Sequence, residues 1–360
     1  MVARLTVVIG SLLLTGCMGR VELIQITAAA VADDVLATDT HEAPPGPEDH
    51  EADLVCADAA EEVISFDTAE LTGYYLAETE SVGPCTVATI ECAEGTEVIP
   101  QTTLHFFGDE SCSPQGGAAK WEWKVTQPAG SQSVFVPSAS FPNPTFEANV
   151  AGIYTFSLNV WDEQGAPSSF PAGYVVTVIP DEAIHVELLW HTPEDMDESD
   201  TGPEAGSDLD LHFLHPWASG PDVDGDGKPD GWFDIPFDAF WFNAHPNWGS
   251  YDPAINDDPG LDRDDTEGAG PENINLDIPE HVTYRVGVHY WNDHGYGPSY
   301  VTVRVYIYGQ LVFEEAGVKL VDADMWEVCT IEWPSGQVHP VTSHTGSKIT
   351  PGYHNPYFSQ

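Results

Sequence analysis

Sixteen acidic side chains and only two basic ones, Lys228 and Arg263, lie between Asp208 and Glu272. Most of these carboxylates fall in three segments: Asp208-Leu209-Asp210-Leu211-His212, the loop Asp222-Val223-Asp224-Gly225-Asp226-Gly227-Lys228-Pro229-Asp230, and the run Asp257-Asp258-Pro259-Gly260-Leu261-Asp262-Arg263-Asp264-Asp265, which leads to Glu272. Unit charges about 4 Å apart repel by roughly 1 kcal/mol in water and by several times more near a protein surface. Folding these segments together therefore demands a counter-ion. Hard oxygen donors in such number suit calcium. The candidate metal ligands are Asp208, Asp210, Asp222, Asp224, Asp226, Asp230, Asp257, Asp258, Asp262, Asp264, Asp265 and Glu272.

Each segment has a local logic. In a strand the side chains repeat every two residues, so Asp208, Asp210 and His212 share one face while Leu209, Leu211 and Phe213 enter a core. The alternative for this segment alone is an edge strand with a polar outer face. Asp222, Asp224 and Asp226, then Gly227 and, at the ninth position, Asp230, resemble the calcium loops of EF-hands and thrombospondin type 3 repeats. Odd-position spacing lets a tightly wound loop aim several oxygens at one centre. The pattern departs at position twelve, where Phe233 replaces a bidentate carboxylate, and Pro229 argues against a following helix; a solvated acidic turn is the alternative. Zinc on His212, His215, Asp208 and Asp210 is the softer-donor option, but the chain has no HExxH motif and carboxylates far outnumber imidazoles.

These segments sit in an all-β chain with no long 3.6-residue apolar period. From 86 to 180 short β-type runs alternate with turns, as in Ile153-Tyr154-Thr155-Phe156-Ser157-Leu158-Asn159-Val160-Trp161, and strands at this spacing make a β-sandwich. Leu104-His105-Phe106-Phe107-Gly108-Asp109, Trp121-Glu122-Trp123 and Gly152 to Asp162 resemble the strands of PKD-type immunoglobulin-like domains, which implies a spacer or contact module without catalytic residues. From 181 to 335 a second β-sandwich carries the long acidic loops. Val301, Val303, Val305 and Ile307 alternate onto one face, and Gly309-Gln310 permits a turn into Leu311-Val312-Phe313. The Asp208 strand, the acidic loop before Ile274-Asn275-Leu276-Asp277-Ile278, and Tyr284 to Trp291 together are similar to YfaP-like secreted β-domains and to surface lipoproteins in which such a domain follows a PKD-like one.

The N-terminus reads as an export signal over 1–16: Arg4 is followed by an apolar stretch from Leu5 to Leu14 too short to span a bilayer. Leu14-Thr15-Gly16-Cys17 resembles a bacterial lipobox, which implies lipidation of Cys17 and a membrane anchor made only of acyl chains. The alternative is a simple signal peptide with a chance cysteine. Met18 stands where inner-membrane retention signals carry Asp, so the resemblance favours the outer membrane or cell surface. Residues 17–85 comprise a Pro-, Glu- and Asp-rich tether and a segment without convincing periodicity, and 336–360 is expected to be a flexible tail. Among the other five cysteines an oxidising compartment permits pairing. Cys56, Cys85, Cys92 and Cys112 allow three connectivities, with Cys92–Cys112 preferred because they bracket one hairpin-sized unit, and Cys329 reads as a buried thiol.

A net charge of -49 with ten Lys and Arg leaves nothing to neutralise phosphates, which excludes nucleic acid as a partner. The 42% of hydrophobic residues excludes a disordered acidic chain. No nucleophile elbow, phosphate loop or dinucleotide fingerprint occurs. The expectation is thus a lipid-anchored, calcium-binding, non-enzymatic surface protein with a role in adhesion or assembly. Two alternatives stay open. Trp217, Trp232, Trp241, Trp248 and Trp291 crowd the acidic segments, so a calcium-dependent carbohydrate-binding module is one, provided that those rings are exposed rather than a minicore for long loops. A metal-dependent hydrolase is the other.

Overall fold

The computed structural model describes residues 6–10, 23–27 and 86–358, apart from 114–115, 203–204 and 267. The lipidation expected at Cys17 lies outside them, as do the signal and tether segments save for an antiparallel pairing of Thr6–Gly10 with Leu23–Thr27. The fold is all-β: among the described residues the only helical element is a single 3₁₀ turn, Trp241–Asn243, and no helix is long and apolar enough to cross a membrane. By proximity the chain divides into two compact units, one of residues 1–91, 107–123 and 157–173, the other of 92–106, 124–156 and 174–360.

The strands expected from 86 to 180 form two four-stranded sheets. One runs Glu91–Cys92, Thr102–Phe107, Thr145–Ala148, Phe135–Val136, and the other Glu97–Val98, Ala172–Val178, Gly152–Trp161, Lys120–Thr126. Phe106 and Phe146 pack on Phe156 with centroids 4.5 and 5.2 Å apart. Tyr154 donates its hydroxyl back to Val150 O at 3.1 Å, as tyrosines do at the corners of immunoglobulin-type sandwiches. The Cys92–Cys112 pairing does not form. Cys92 is a free thiol beside Glu94, whereas Cys112 is disulfide-bonded. Cys112 instead starts the two-residue strand that pairs with Gly116–Gly117.

The acidic half is a second sandwich. One sheet has the order Gly260–Arg263, Glu272–Leu276, Ile184–His191, Ser299–Ile307, Gln310–Leu320. The other has the order Asp238–Ala239, Asp208–Leu214, Thr283–Asn292, Met325–Glu332, Gly346–Thr350, Thr342–Ser343, with Gln337–Pro340 also on Met325–Glu332. Leu209, Leu211, Val286, Val288, Val301, Val303, Val305 and Trp326 fill the space between the sheets, as strand alternation requires.

The opposite face of the second sheet is buried as well. Leu214, Trp232, Phe233, Phe240, Met325 and Tyr353 form a smaller apolar cluster over it, so all seven residues of Asp208–Leu214 are buried. The segment after Trp333 supplies part of this cover and is not a flexible tail. It adds three strands, and Tyr353 is only 1% exposed. Polar composition hid the few apolar anchors, Val338, Ile349, Tyr353 and Phe358, that dock it.

Gly287 makes room for this cover. It faces His212 across the strand pair, and a Cβ there would lie 2.6 Å from the Trp232 ring and 2.8 Å from Met325 Cε. Gly287→Ala is therefore expected to destabilise the domain by about 1–3 kcal/mol through overpacking. Urea unfolding followed by tryptophan emission should show it, and an unchanged midpoint would mean that the ring is not held against the sheet.

Candidate cation site

Glu272 opens the strand Glu272–Leu276 of the first sheet, opposite Leu188. Its side chain crosses to the other sheet, where one carboxylate oxygen accepts the Leu211 N–H at 2.7 Å while the other accepts the Asp265 N–H at 3.1 Å. The approach depends on a glycine crossing. A Cβ on Gly206 would meet Gly268 N at 2.2 Å, and Gly268 has φ +92°, a conformation that glycine adopts at little steric cost.

One carboxylate oxygen each from Asp210, Asp264 and Glu272 fall within 4.8 Å of one another. Asp210 and Glu272 are 2% and 1% exposed, Asp208 is 8% exposed, and Asp264 is open to solvent. Asp208 Oδ1 and Asp210 Oδ2 have no hydrogen-bond partner. Among the described residues no Lys or Arg ranks among the main influences on these carboxylates; His294 opposes the negative charge at Asp208 and His212 that at Asp210. Burial, followed by repulsion from Asp210 and Asp264, pushes Asp208 up to about 8. Burial likewise takes Asp210 to about 8, although His212 opposes it. Glu272 is raised well above the usual carboxylate range by burial and then by Asp210.

Two imidazoles lie behind Asp210. His289 Nδ1 is 3.9 Å from Asp210 Oδ2, while its Nε2 lies 3.0 Å from Tyr353 O. His212 Nδ1 is 2.7 Å from Asp238 Oδ2, and that oxygen also accepts the Phe233 N–H at 2.6 Å. Burial holds His289 down at about 3, so it is neutral and offers Asp210 no positive charge. Sequence reasoning missed His289 and Asp238. The signal for His289 was its place in the Tyr284 to Trp291 alternation, which sends it and Gly287 to the face of Asp210 and His212.

The loop Asp222–Asp226 is a separate cluster. Its three carboxylates also bring one oxygen each within 4.8 Å, but all are exposed. Asp222 accepts the N–H groups of Gly225 and Gly227 at 2.8 and 2.9 Å, and Asp224 and Asp226 accept those two residues further on. Asp230 Oδ2 accepts from Val223 N–H at 2.8 Å and from the Tyr353 hydroxyl at 3.1 Å. Phe233 belongs to the apolar cover, and Asp234 accepts from Ser219 N–H, so no twelfth-position carboxylate closes this loop.

The remaining acidic candidates do other work. Asp257 accepts from Ser250 N–H at 2.7 Å and Asp258 from Trp248 N–H at 2.6 Å, fixing the loop around Trp248. Asp262 bonds Asn275. Of the five tryptophans near the acidic segments two are interior and two half-buried. Trp232 and Trp248 are 3% and 4% exposed, and Trp241 meets Trp291 edge-on, whereas Trp217 is 65% exposed. The three carboxylates that converge, Asp210, Asp264 and Glu272, offer only oxygen, which fits a hard divalent cation better than zinc.

No family model matches the chain, and no curated protein matches it. Among solved structures it is similar to one described as the structural basis for the promiscuous specificity of carbohydrate-binding modules from the β-sandwich superfamily (13% identity over 64% of this chain and 98% of that one, TM-score 0.22). It is similar also to the Yersinia pseudotuberculosis adhesin InvE (11% identity, 67% of each chain, TM-score 0.20). Similarity at this level carries no functional assignment.

The raised carboxylates fix the sign of the metal-free pH dependence. Asp208 and Asp210 bind protons more tightly in the folded than in the unfolded chain, so folding is favoured below the ordinary value of 3.8 and loses stability as pH rises toward about 8. Below the ordinary imidazole value of 6.5 the buried, neutral His289 and His185 work in the opposite sense, so in a chelator the fall in melting temperature should be read between about 6.5 and 8. A flat or rising profile would show that these carboxylates stay solvated.

Proposed function

We propose that this chain is an exported, lipid-anchored surface protein whose acidic β-domain binds a divalent cation, calcium by its donor set, as part of its fold, and that the rigidified domain serves adhesion or assembly. One observation carries the reading: Asp210, Glu272 and Asp208 are buried side by side with no Lys or Arg among the described residues paired to them. An ionised carboxylate taken out of water costs several kcal/mol unless it is paired. Asp210, Asp264 and Glu272 would hold the ion, with Asp208 adding negative potential. A bound cation supplies the missing charge and cross-links the two sheets. Asp222, Asp224 and Asp226 would form a second, weaker site, since their exposed carboxylates already accept backbone hydrogen bonds and lack a closing ligand.

Export and anchoring rest on the sequence, through the Leu14-Thr15-Gly16-Cys17 lipobox-like motif. The tryptophans do not favour a sugar-stacking platform, because Trp232 and Trp248 are buried and the half-buried Trp241 and Trp291 meet each other edge-on.

Calcium titrated into the signal-free chain should bind with an affinity typical of extracellular modules, roughly 10⁻⁴ to 10⁻³ M. At 100-fold excess over its dissociation constant it should stabilise the fold by about 2.7 kcal/mol, read as a rise in melting temperature. The double variant Asp210→Asn, Glu272→Gln should lose that rise yet melt higher than the wild type in chelator, because its buried charges are gone. Asp224→Asn with Asp226→Asn should leave most of the rise in place. The reading fails if calcium and magnesium leave the wild-type melt unmoved.

A further inference from the structure

The cation cluster has one open side. Asp264 is its exposed member, and Asp264 and Asp265 also line a groove of about 330 Å³, at the lower end of the roughly 300–1,000 Å³ of small-molecule sites. Hydroxyl and amide side chains furnish much of the wall: Ser133, Asn149, Ser199, Thr201 and Thr266. No aromatic residue lines it among the described residues, and its one cation, Arg263, is paired with Glu147. The groove reaches the cluster through Asp264, which brings a carboxylate oxygen within 4.8 Å of one from Asp210; Asp210 is buried and carries an oxygen without a hydrogen-bond partner, which marks the cluster as more than an acidic surface.

We infer that this groove binds a neutral polyhydroxylated ligand, a glycan presenting vicinal hydroxyls, which completes the coordination of the cation held by Asp210, Asp264 and Glu272. The inference rests on the calcium reading above. Calcium takes six to eight oxygens, and both Glu272 oxygens are already shared with backbone N–H groups, so the protein leaves positions that sugar hydroxyls can fill. Charge selects the class. Three carboxylates exceed a dication, and Glu147, Glu198 and Asp200 add to the wall against the single Arg263, so an anionic ligand is repelled. Without aromatic rings, stacking contributes nothing, and recognition must run through the cation and the hydroxyl-lined wall. Binding should therefore vanish with calcium.

The test uses the signal-free full chain. Its calcium response is measured first by melting temperature, and calorimetry then follows with neutral mono- and disaccharides bearing cis- and trans-vicinal hydroxyls, in calcium and in chelator. N-acetylneuraminic acid serves as the anionic probe. The expected result is millimolar binding of at least one neutral sugar in calcium and none in chelator. Thr266→Trp and, separately, Thr201→Trp fill the groove without replacing a residue that would hold the ion, and each should weaken sugar binding by about tenfold or more while preserving the calcium-induced rise. If the calcium response is intact but no neutral sugar binds, the inference is overturned and the calcium reading stands. It is equally overturned if sugars bind as well in chelator, if both groove variants bind normally, or if the acidic sugar binds more tightly than the neutral ones. Loss of the calcium response itself in the wild type sinks both.

Discussion

Negative charge held out of water without a fixed positive partner is the constraint on which the acidic domain depends. Asp208 and Asp210 sit on the seven-stranded sheet and Glu272 at the start of a strand in the five-stranded one. Repulsion between them therefore pushes the sheets apart. The chain answers with local devices: the glycine crossing at Gly206 and Gly268 allows the approach, and backbone N–H groups of Leu211 and Asp265 solvate Glu272. Two such bonds offset part of the burial cost of one carboxylate. They do nothing for the unpartnered oxygens of Asp208 and Asp210, and the residual demand falls on a proton or on a metal ion.

Rigidity behind the site comes from an unusual layering. A sheet exposed on one face would let Asp210 turn toward water. Here Trp232, Phe233, Phe240 and Tyr353 close that face, and the Arg285 guanidinium lies over the Trp232 ring at 4.7 Å. The same cover traps His212 against Asp238 and keeps His289 neutral. Burial that removes the rotameric freedom of Asp210 also removes its solvent, so preorganisation and electrostatic stress come from one packing decision.

Much of this was legible in the residues. Strict alternation gave the Asp208 and Ser299 strands and the core facing of Leu209, Leu211, Val301, Val303 and Val305, because a period of two survives in one dimension. The acidic run gave Asp210, Asp264 and Glu272 by charge density. What the run did not carry was partition. Asp264 and Glu272 join the Asp208 strand, Asp222 to Asp226 stay by themselves, and Asp257 and Asp258 turn to the backbone around Trp248. Those choices depend on long-range strand pairing and on glycine approach, neither of which leaves a local periodic mark. The C-terminal strands were hidden for a related reason: four spaced apolar anchors suffice to dock a segment whose composition reads as loop. Cys92 and Cys112 illustrate the limit of proximity in sequence, since hairpin-sized spacing does not set the direction of a thiol.

The two acidic clusters separate what folding needs from what it merely permits. In the Asp222 loop every aspartate accepts a backbone N–H and faces solvent, where water and salt screen the mutual repulsion to a fraction of a kcal/mol at each longer separation. That loop can close without an ion. At Asp210 the screening medium is protein, and the same three charges interact far more strongly at equal distance. Asp264 alone keeps contact with water. An ion entering past it would trade part of its hydration for carboxylates that have none of their own, and on that electrostatic ground the buried cluster, and not the more recognisable loop, would be the stronger site.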